Sequence, residues 1–144
     1  MGRISVHVHG APKDRHAAAL MTMYLDRLRN HGVACVKHSD KMRPEAYYEH
    51  VLSLSGTLVF MDEFGETSTS EGFARRVKGW RLSTEDVHLA VGPAEGWPEA
   101  SKGTSHLRLS LSEMTFPHEL AAVMLVEQLY RSMEILRGSA YHKA

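Results

Sequence analysis

Residues 57–61 read Thr-Leu-Val-Phe-Met, apolar at successive positions and therefore apolar on both faces when extended. A strand of that kind belongs in the middle of a parallel sheet covered on both sides. Working outward, Val87 to Val91 is a second interior strand. Ile4, Val6 and Val8 alternate with polar partners and predict a first strand ending near Gly10, and Val33 to Val36 predicts a short second one. Leu107, Leu109 and Leu111 alternate with His106, Arg108 and Ser110, giving a fifth. Helical periods fill the gaps. Ala17, Leu20, Met21, Tyr24, Leu25 and Leu28 form one stripe, with Gly32 as a stop. Pro44 suits the first turn of a helix carrying Tyr47, Val51 and Leu54, closed by Gly56. Ser68 and Glu71 have capping-box spacing ahead of Phe73, Val77 and Trp80. Trp97 to Lys102 suits a short helix, and the longest runs from about Phe116 to Leu136 with Pro117 in its first turn. Strands alternating with helices throughout imply an α/β fold: a mostly parallel sheet with helices on both faces. No linker, repeat or low-complexity tract divides the chain, so 1–144 is read as one domain.

Composition narrows the function. With 43% hydrophobic residues the chain can bury a substantial core, and 17 basic against 17 acidic residues leave no net charge. Any contact with a polyanion must then rest on a local patch. One cysteine, Cys35, excludes an intramolecular disulfide and points to a reducing compartment. The start, MGRISVHVHG, lacks a signal peptide's uninterrupted apolar stretch, and no run has the length of a membrane helix. The expectation is a cytoplasmic protein with no membrane association.

In an open parallel sheet, ligands bind beyond the carboxyl ends of the strands. Three segments leave those ends in the second half: Asp62 to Gly65, Gly92 to Gly96 and Ser110 to Thr115. The G-x-G-x-x-G dinucleotide fingerprint and the G-x-x-x-x-G-K-[ST] phosphate loop are both absent, which argues against NAD enzymes and P-loop NTPases. His7 and His9 share one face of the first strand, but no third ligand lies close in sequence, so no metal is expected. Cys35, in an apolar strand, reads as a small buried side chain. Asp62 either orients a ligand's hydroxyls or caps the next turn. Arg75, Arg76, Lys78 and Arg81 form a basic run that is either a solvated helix face or an RNA-backbone contact.

The most specific signal lies in the C-terminal third: Ser110 to Ser112 at a strand exit, Thr115-Phe116-Pro117-His118 at a helix start, Glu127-Gln128-Leu129-Tyr130-Arg131 within the helix, and Tyr141-His142-Lys143 at the end. In that order, and in a chain of this length, these segments closely resemble the RlmH family, pseudouridine methyltransferases of the SPOUT class. Met61-Asp62 with Gly65 and the Gly92 to Gly96 loop match upstream. The first half matches in length and pattern more than in residues. The chain departs from the family where Pro93 replaces the second of two glycines, removing a backbone N–H, and where Ala140 replaces the proline before Tyr-His.

The resemblance implies a C-terminal trefoil knot and S-adenosyl-L-methionine as cofactor, held by Met61, Gly92 and the run Ser112, Glu113, Met114, Thr115, Phe116 and Pro117. It also implies a homodimer whose tails complete each other's sites, and methyl transfer to N3 of a pseudouridine in large-subunit ribosomal RNA within the ribosome. N3 is an imide N–H, so catalysis requires orientation plus proton removal. The catalytic candidates are His118, Arg131, Tyr141 and His142. His118 sits where a helix N-terminus favours a neutral imidazole. Arg131 either pairs with Glu127 and Glu134 along its own helix or contacts a phosphate or the substrate. The last helix is apolar on most sides, through Leu120, Val123, Met124, Leu125, Val126, Leu129, Met133 and Leu136, which suits a face shared with a second subunit. Rival readings are a SPOUT enzyme acting on transfer RNA, a non-catalytic RNA- or partner-binding homologue, and a monomeric flavodoxin-like module.

Overall fold

A computed structural model describes residues 2–143 as a five-stranded sheet with four α-helices. The strands are β1 (Ile4–His9), β2 (Val33–His38), β3 (Thr57–Glu66), β4 (Val87–Val91) and β5 (Leu107–Leu109); the helices are α1 (Arg15–Leu28), α2 (Pro44–Leu52), α3 (Ser70–Leu82) and α4 (His118–Arg137). Every strand pairing is parallel, in the order β2-β1-β4-β3-β5. The α/β class and the covered parallel sheet are as the sequence predicts.

Alternation along the strands sorts the core into two layers. Ile4, Val6, Val8, Val59, Val87, Leu89 and Val91 pack against Met21 and Leu28 of α1, Phe73 and Val77 of α3, and Leu125, Leu129 and Met133 of α4. On the opposite face Leu58, Phe60 and Ala90 meet Tyr47, Tyr48 and Val51 of α2. Both faces of 57–61 are thus buried, which is why that segment carries no polar alternation.

Local chemistry fixes the helix ends. Asp14 accepts a hydrogen bond from the backbone of His16 and caps α1. Pro44 occupies the first turn of α2. The cap of α3 is Thr69, whose hydroxyl accepts from Gly72 N, and not Ser68 as the spacing with Glu71 suggested. α4 starts at His118, with Pro117 as its N-cap, two residues later than Phe116. It ends in a Schellman turn, with Gly138 at φ +77° and Ser139 N donating to Glu134 O.

Two further expectations are corrected. β3 does not stop at Met61: it runs ten residues, through the expected 62–65 loop, and Glu66 pairs with Leu109 after a register shift. Gly65 allows this because a Cβ there would lie 2.6 Å from the carbonyl carbon of Arg108, so its glycine serves sheet pairing and not a ligand. Gly56 does not close α2; it lies in the turn into β3, hard against Asp86 O. No helix among the described residues is long and apolar enough to cross a membrane.

Candidate active site

The carboxyl ends of β3, β4 and β5 open into a cleft of about 380 Å³, within the size range of small-molecule sites. Its β4 wall is built from aromatic packing. The hydroxyl of Tyr47 donates to Val91 O at 2.7 Å, and the Tyr47 ring stacks on the Trp97 indole at 5.6 Å and 7°. Trp97 meets Phe60 edge-on at 4.8 Å and donates its Nε1–H to Met61 O at 2.9 Å. These contacts pin the loop that follows β4. Gly92 lies directly under the indole, where a Cβ would come within 3.1 Å of Nε1. Pro93 O accepts from Gly96 N, closing a turn with Gly96 at φ +85°.

Serine side chains shape the opposite wall. Ser110 Oγ donates to Ser112 O and accepts from Ser112 N, and Ser112 Oγ accepts from Met114 N. These local bonds bend the chain out of β5 and into α4. Thr115 then donates to Glu63 Oε2 at 2.5 Å, joining this segment to β3 across the cleft.

The floor holds an ion pair, Arg108 Nη1 to Asp62 Oδ2 at 2.6 Å, with both side chains less than a fifth exposed. The guanidinium also donates to Ser101 O and lies 4.9 Å from the centre of the Phe60 ring. One group therefore ties β3, β5 and the 3-10 turn Glu99–Gly103 together. Ser101 Oγ is buried in this lining without a hydrogen-bond partner. Ser101 is wholly enclosed, so this hydroxyl lies behind the wall of the cleft and not on its ligand-facing surface. Glu63, Glu95 and Glu99 add negative charge to the lining. Glu99 is paired with Lys102 at 3.0 Å, and the aromatic wall with the remaining carboxylates, Glu63 and Glu95, fits a nucleoside that carries a cationic centre.

Of the residues anticipated as cofactor contacts, Met61, Gly92, Ser112, Met114, Thr115 and Phe116 line this cleft, whereas Glu113 and Pro117 do not. His118 lines it too, half-buried, and its ring makes no hydrogen bond among the described residues. The other three catalytic candidates lie apart, where the tail folds back on its own chain. Arg131 holds buried Glu127 through Nη2 at 2.8 Å and donates Nη1–H to His142 Nδ1 at 3.1 Å. His142 Nδ1 is thus the acceptor, so its Nε2–H donates to Glu71 at 2.8 Å. Tyr141 donates to Glu127 at 2.8 Å and sets its ring against Tyr130 at 4.8 Å. Burial, reinforced by that hydrogen bond, pushes the Tyr141 phenol well above its usual range.

Gln128 connects the two regions. Its amide donates to Glu127 and its carbonyl accepts from Ser70 Oγ. Ser70 and Gln128 line a smaller cleft of about 140 Å³ that shares Met61, Leu109, Leu111 and Phe116 with the larger one.

Sequence reasoning passed over Arg108, Trp97, Ser101 and Gln128. An Asp and an Arg in different strands give no sign of pairing until the register is known, and Trp97 read only as a helix start. The sequence displays His7 but not its setting. It is 3% exposed, with Nδ1 2.9 Å from His38 Nε2 and Nε2 2.9 Å from His88 Nδ1; His88 in turn donates to Ser55 O. His9 donates to Met42 O, and burial raises the thiol pKa of Cys35.

A family model described as "Predicted SPOUT methyltransferase" matches residues 2–142. The chain is 36% identical over 142 residues to the "Ribosomal RNA large subunit methyltransferase H" of Synechococcus sp. (strain RCC307), covering 99% of this chain and 95% of that one. The protein of that name from Coprothermobacter proteolyticus is 32% identical over 143 residues, covering 98% and 99%. Its counterpart in Cereibacter sphaeroides reaches 46% over 86 residues, covering 60% and 56%. Among solved structures, TrmJ from Z. mobilis ZM4 superposes with a TM-score of 0.54 at 10% identity, over all of this chain and 72% of that one, a likeness of fold alone.

Proposed function

This chain belongs to the SPOUT methyltransferase family, among relatives named ribosomal RNA large subunit methyltransferase H, and we propose that it transfers the methyl group of S-adenosyl-L-methionine to N3 of a pseudouridine in large-subunit ribosomal RNA. The observation that carries this reading is the convergence of Met61, Gly92 and four residues of the 112–117 segment on one cleft at the strand ends.

When bound, S-adenosyl-L-methionine supplies an electrophilic methyl group on a positively charged sulfur. The protein's part is to hold, orient and deprotonate. Trp97, Met61, Gly92 and the Ser112 to Phe116 segment form the binding walls. Glu63 and Glu95 in the lining favour a cation, whereas Glu99 is paired with Lys102 at 3.0 Å. His118 is the base: among the histidine candidates it alone lines the cleft with its ring nitrogens uncommitted, whereas both nitrogens of His142 are engaged. It takes the N3 proton of the target as the new N–C bond forms, a role worth about 10²–10⁴-fold in rate. Arg131, Tyr141 and His142 position the RNA, acting through Gln128 on the smaller cleft. The enzyme is a single-domain homodimer with α4 threaded as a trefoil knot, and it works in the cytoplasm on ribosomes. Leu120 and Met124 of α4 and Leu20 of α1, all at least 40% exposed, supply an apolar face for the second subunit.

Mass spectrometry of ribosomal RNA from cells lacking the gene tests the reaction: one N3-methylated pseudouridine of the large subunit is expected to disappear. Loss of methylation from transfer RNA alone would overturn the substrate. His142→Ala and Tyr141→Phe are expected to lower methyl transfer at least tenfold while leaving cofactor affinity, read by calorimetry, nearly unchanged; equal loss of both would make the tail purely structural. Pro93 favours one second reading, a homologue that binds RNA without catalysis, and absence of calorimetric heat at millimolar cofactor would support it.

A further inference from the structure

A chain with no net charge that acts on RNA needs a local basic surface, and the helices differ sharply in what they offer. On α4 both Arg131 and Arg137 are spent on Glu127 and Glu134 of the same helix. α2 carries Glu45 and Glu49 without a lysine or arginine, and α1 sets Asp26 beside Arg27. α3 is different. Residues 72–84 contain no acid, and Arg75, Lys78 and Arg81 step along the helix at intervals of three. Among the described residues none of these three forms an ion pair; Arg76 alone reaches a carboxylate, Glu66, at 3.7 Å. Phe73, Ala74 and Val77 bury the inner side, leaving Arg75 and Lys78 in solvent.

Gly79 provides a second, independent observation. Glycine inside a helix costs about 1 kcal/mol relative to alanine. Here a Cβ would meet nothing within 4 Å, so packing within the chain does not require its absence. A bare backbone position flanked by Arg75 and Lys78 is what a close-lying strand of phosphates would use; Arg81, two residues further on, turns to another side of the helix. At its N-terminal end α3 supplies Ser70 and Phe73 to the smaller cleft, which adjoins the larger. A strand laid along the helix is thereby led to the site.

We propose that the outer face of α3, comprising Arg75 and Lys78 beside Gly79, is the surface on which the phosphate backbone of the substrate RNA docks. The proposal rests on the reading of the chain as an RNA methyltransferase, and it adds how a neutral protein grips a polyanion. Each cation displaces roughly 0.7–0.9 condensed counterions when it neutralises a phosphate, so the two contribute a salt dependence of about one and a half powers.

The experiment measures binding of the full-length protein to purified large ribosomal particles across a salt series, alongside methylation of the same particles and calorimetry with S-adenosyl-L-methionine. The double variant Arg75→Gln, Lys78→Gln is expected to lower the slope of log affinity against log salt by roughly one and a half, with cofactor affinity unchanged. Gly79→Gln keeps every charge and is expected to weaken particle binding about tenfold without altering the slope. A wild-type slope in the double variant overturns the docking surface, and wild-type affinity in Gly79→Gln overturns the close approach. Particles that are bound with the expected slope change yet never methylated would overturn the proposed reaction and support the surface.

Discussion

With every ring neutral, the histidine file on the α2 side of the sheet has one self-consistent hydrogen-bonding pattern. Ser55 O must accept, so His88 donates from Nε2 and its Nδ1 is left as an acceptor. His7 must then donate from Nε2, which leaves its Nδ1 to accept from His38 Nε2. A proton added to His7 would set N–H against N–H, in a place already short of solvent. Burial first, then the neighbouring His88, His38 and His50, lower the His7 pKa to about 4. Burial and the rings of His50 and His9 lower that of His38 as well. Tyr47, facing the rings of His9 and His38, is itself buried and neutral, with its phenol pushed far up by burial. A histidine with a depressed native pKa contributes stability that is complete above the unfolded value near 6.5 and lost as pH falls toward 4. For His7 the loss is on the order of 3 kcal/mol across that window. Thermal melts between pH 7 and pH 4 should show this decline, and His7→Gln should flatten it; parallel profiles for the two proteins would refute the assignment. The file was not legible beforehand, because His7, His38 and His88 lie on three strands and only the register of β1 with β2 and β4 aligns them.

At the same scale, Arg108 should matter more than an ordinary salt bridge. Exposed pairs contribute up to about 1 kcal/mol, but removing one partner of a buried pair costs about 3–5 kcal/mol. The Asp62–Arg108 pair retains some exposure and should fall between. Arg108→Ala should lower stability by about 2–3 kcal/mol in denaturant titrations and weaken cofactor binding, since it frees the Glu99–Gly103 turn. Unchanged calorimetric affinity would confine Arg108 to a stabilising role.

Among the elements, β3 shows where pattern reading stops. Residues 57–61 announced a buried strand through their apolar side chains, whereas residues 62–65 lie in an irregularity between the pairs Met61–Leu109 and Glu66–Leu109, a register that side-chain type does not report. Asp62, Glu63 and Gly65 have the composition of a turn. The extension is selected by β5, whose Leu109 pairs with both Met61 and Glu66 around the irregularity. Gly65→Ala should therefore destabilise the protein by about 1–3 kcal/mol, the usual cost of overpacking, and should displace β5 with the serine segment behind it. Denaturation midpoints and cofactor calorimetry would register both effects; a neutral substitution would mean that β3 and β5 separate freely. The tail of α4 is the opposite case. Its Tyr-His ending was visible in the sequence, but its anchorage was not, because Glu127 and Arg131 face it only once the chain turns back at Gly138.

For the whole molecule, the fold was legible wherever hydrophobic period alone decides, and family membership wherever the C-terminal segments kept their order. The proposed homodimer would draw on the exposed apolar side chains Leu120, Met124 and Leu20. Met124→Glu is expected to convert a homodimer into monomers in sedimentation experiments, with the helical content retained and methyl transfer lost by at least tenfold. A monomeric wild-type protein would remove the need for that face.

The parallel register of β1 with β4 has a consequence for how the chain comes to exist. Ile4 lies beside Val87, and Val6 beside Leu89. During synthesis the first strand therefore waits for more than half of the polypeptide to emerge before its inner neighbour is available. Until then the nascent N-terminal half can pair only β1 with β2, leaving the apolar inner edge of β1 open to misassociation. Closing loops of that length before any reward arrives makes maturation slow. Newly made chains would then depend on protection while they wait, even though the finished molecule hides every one of these edges.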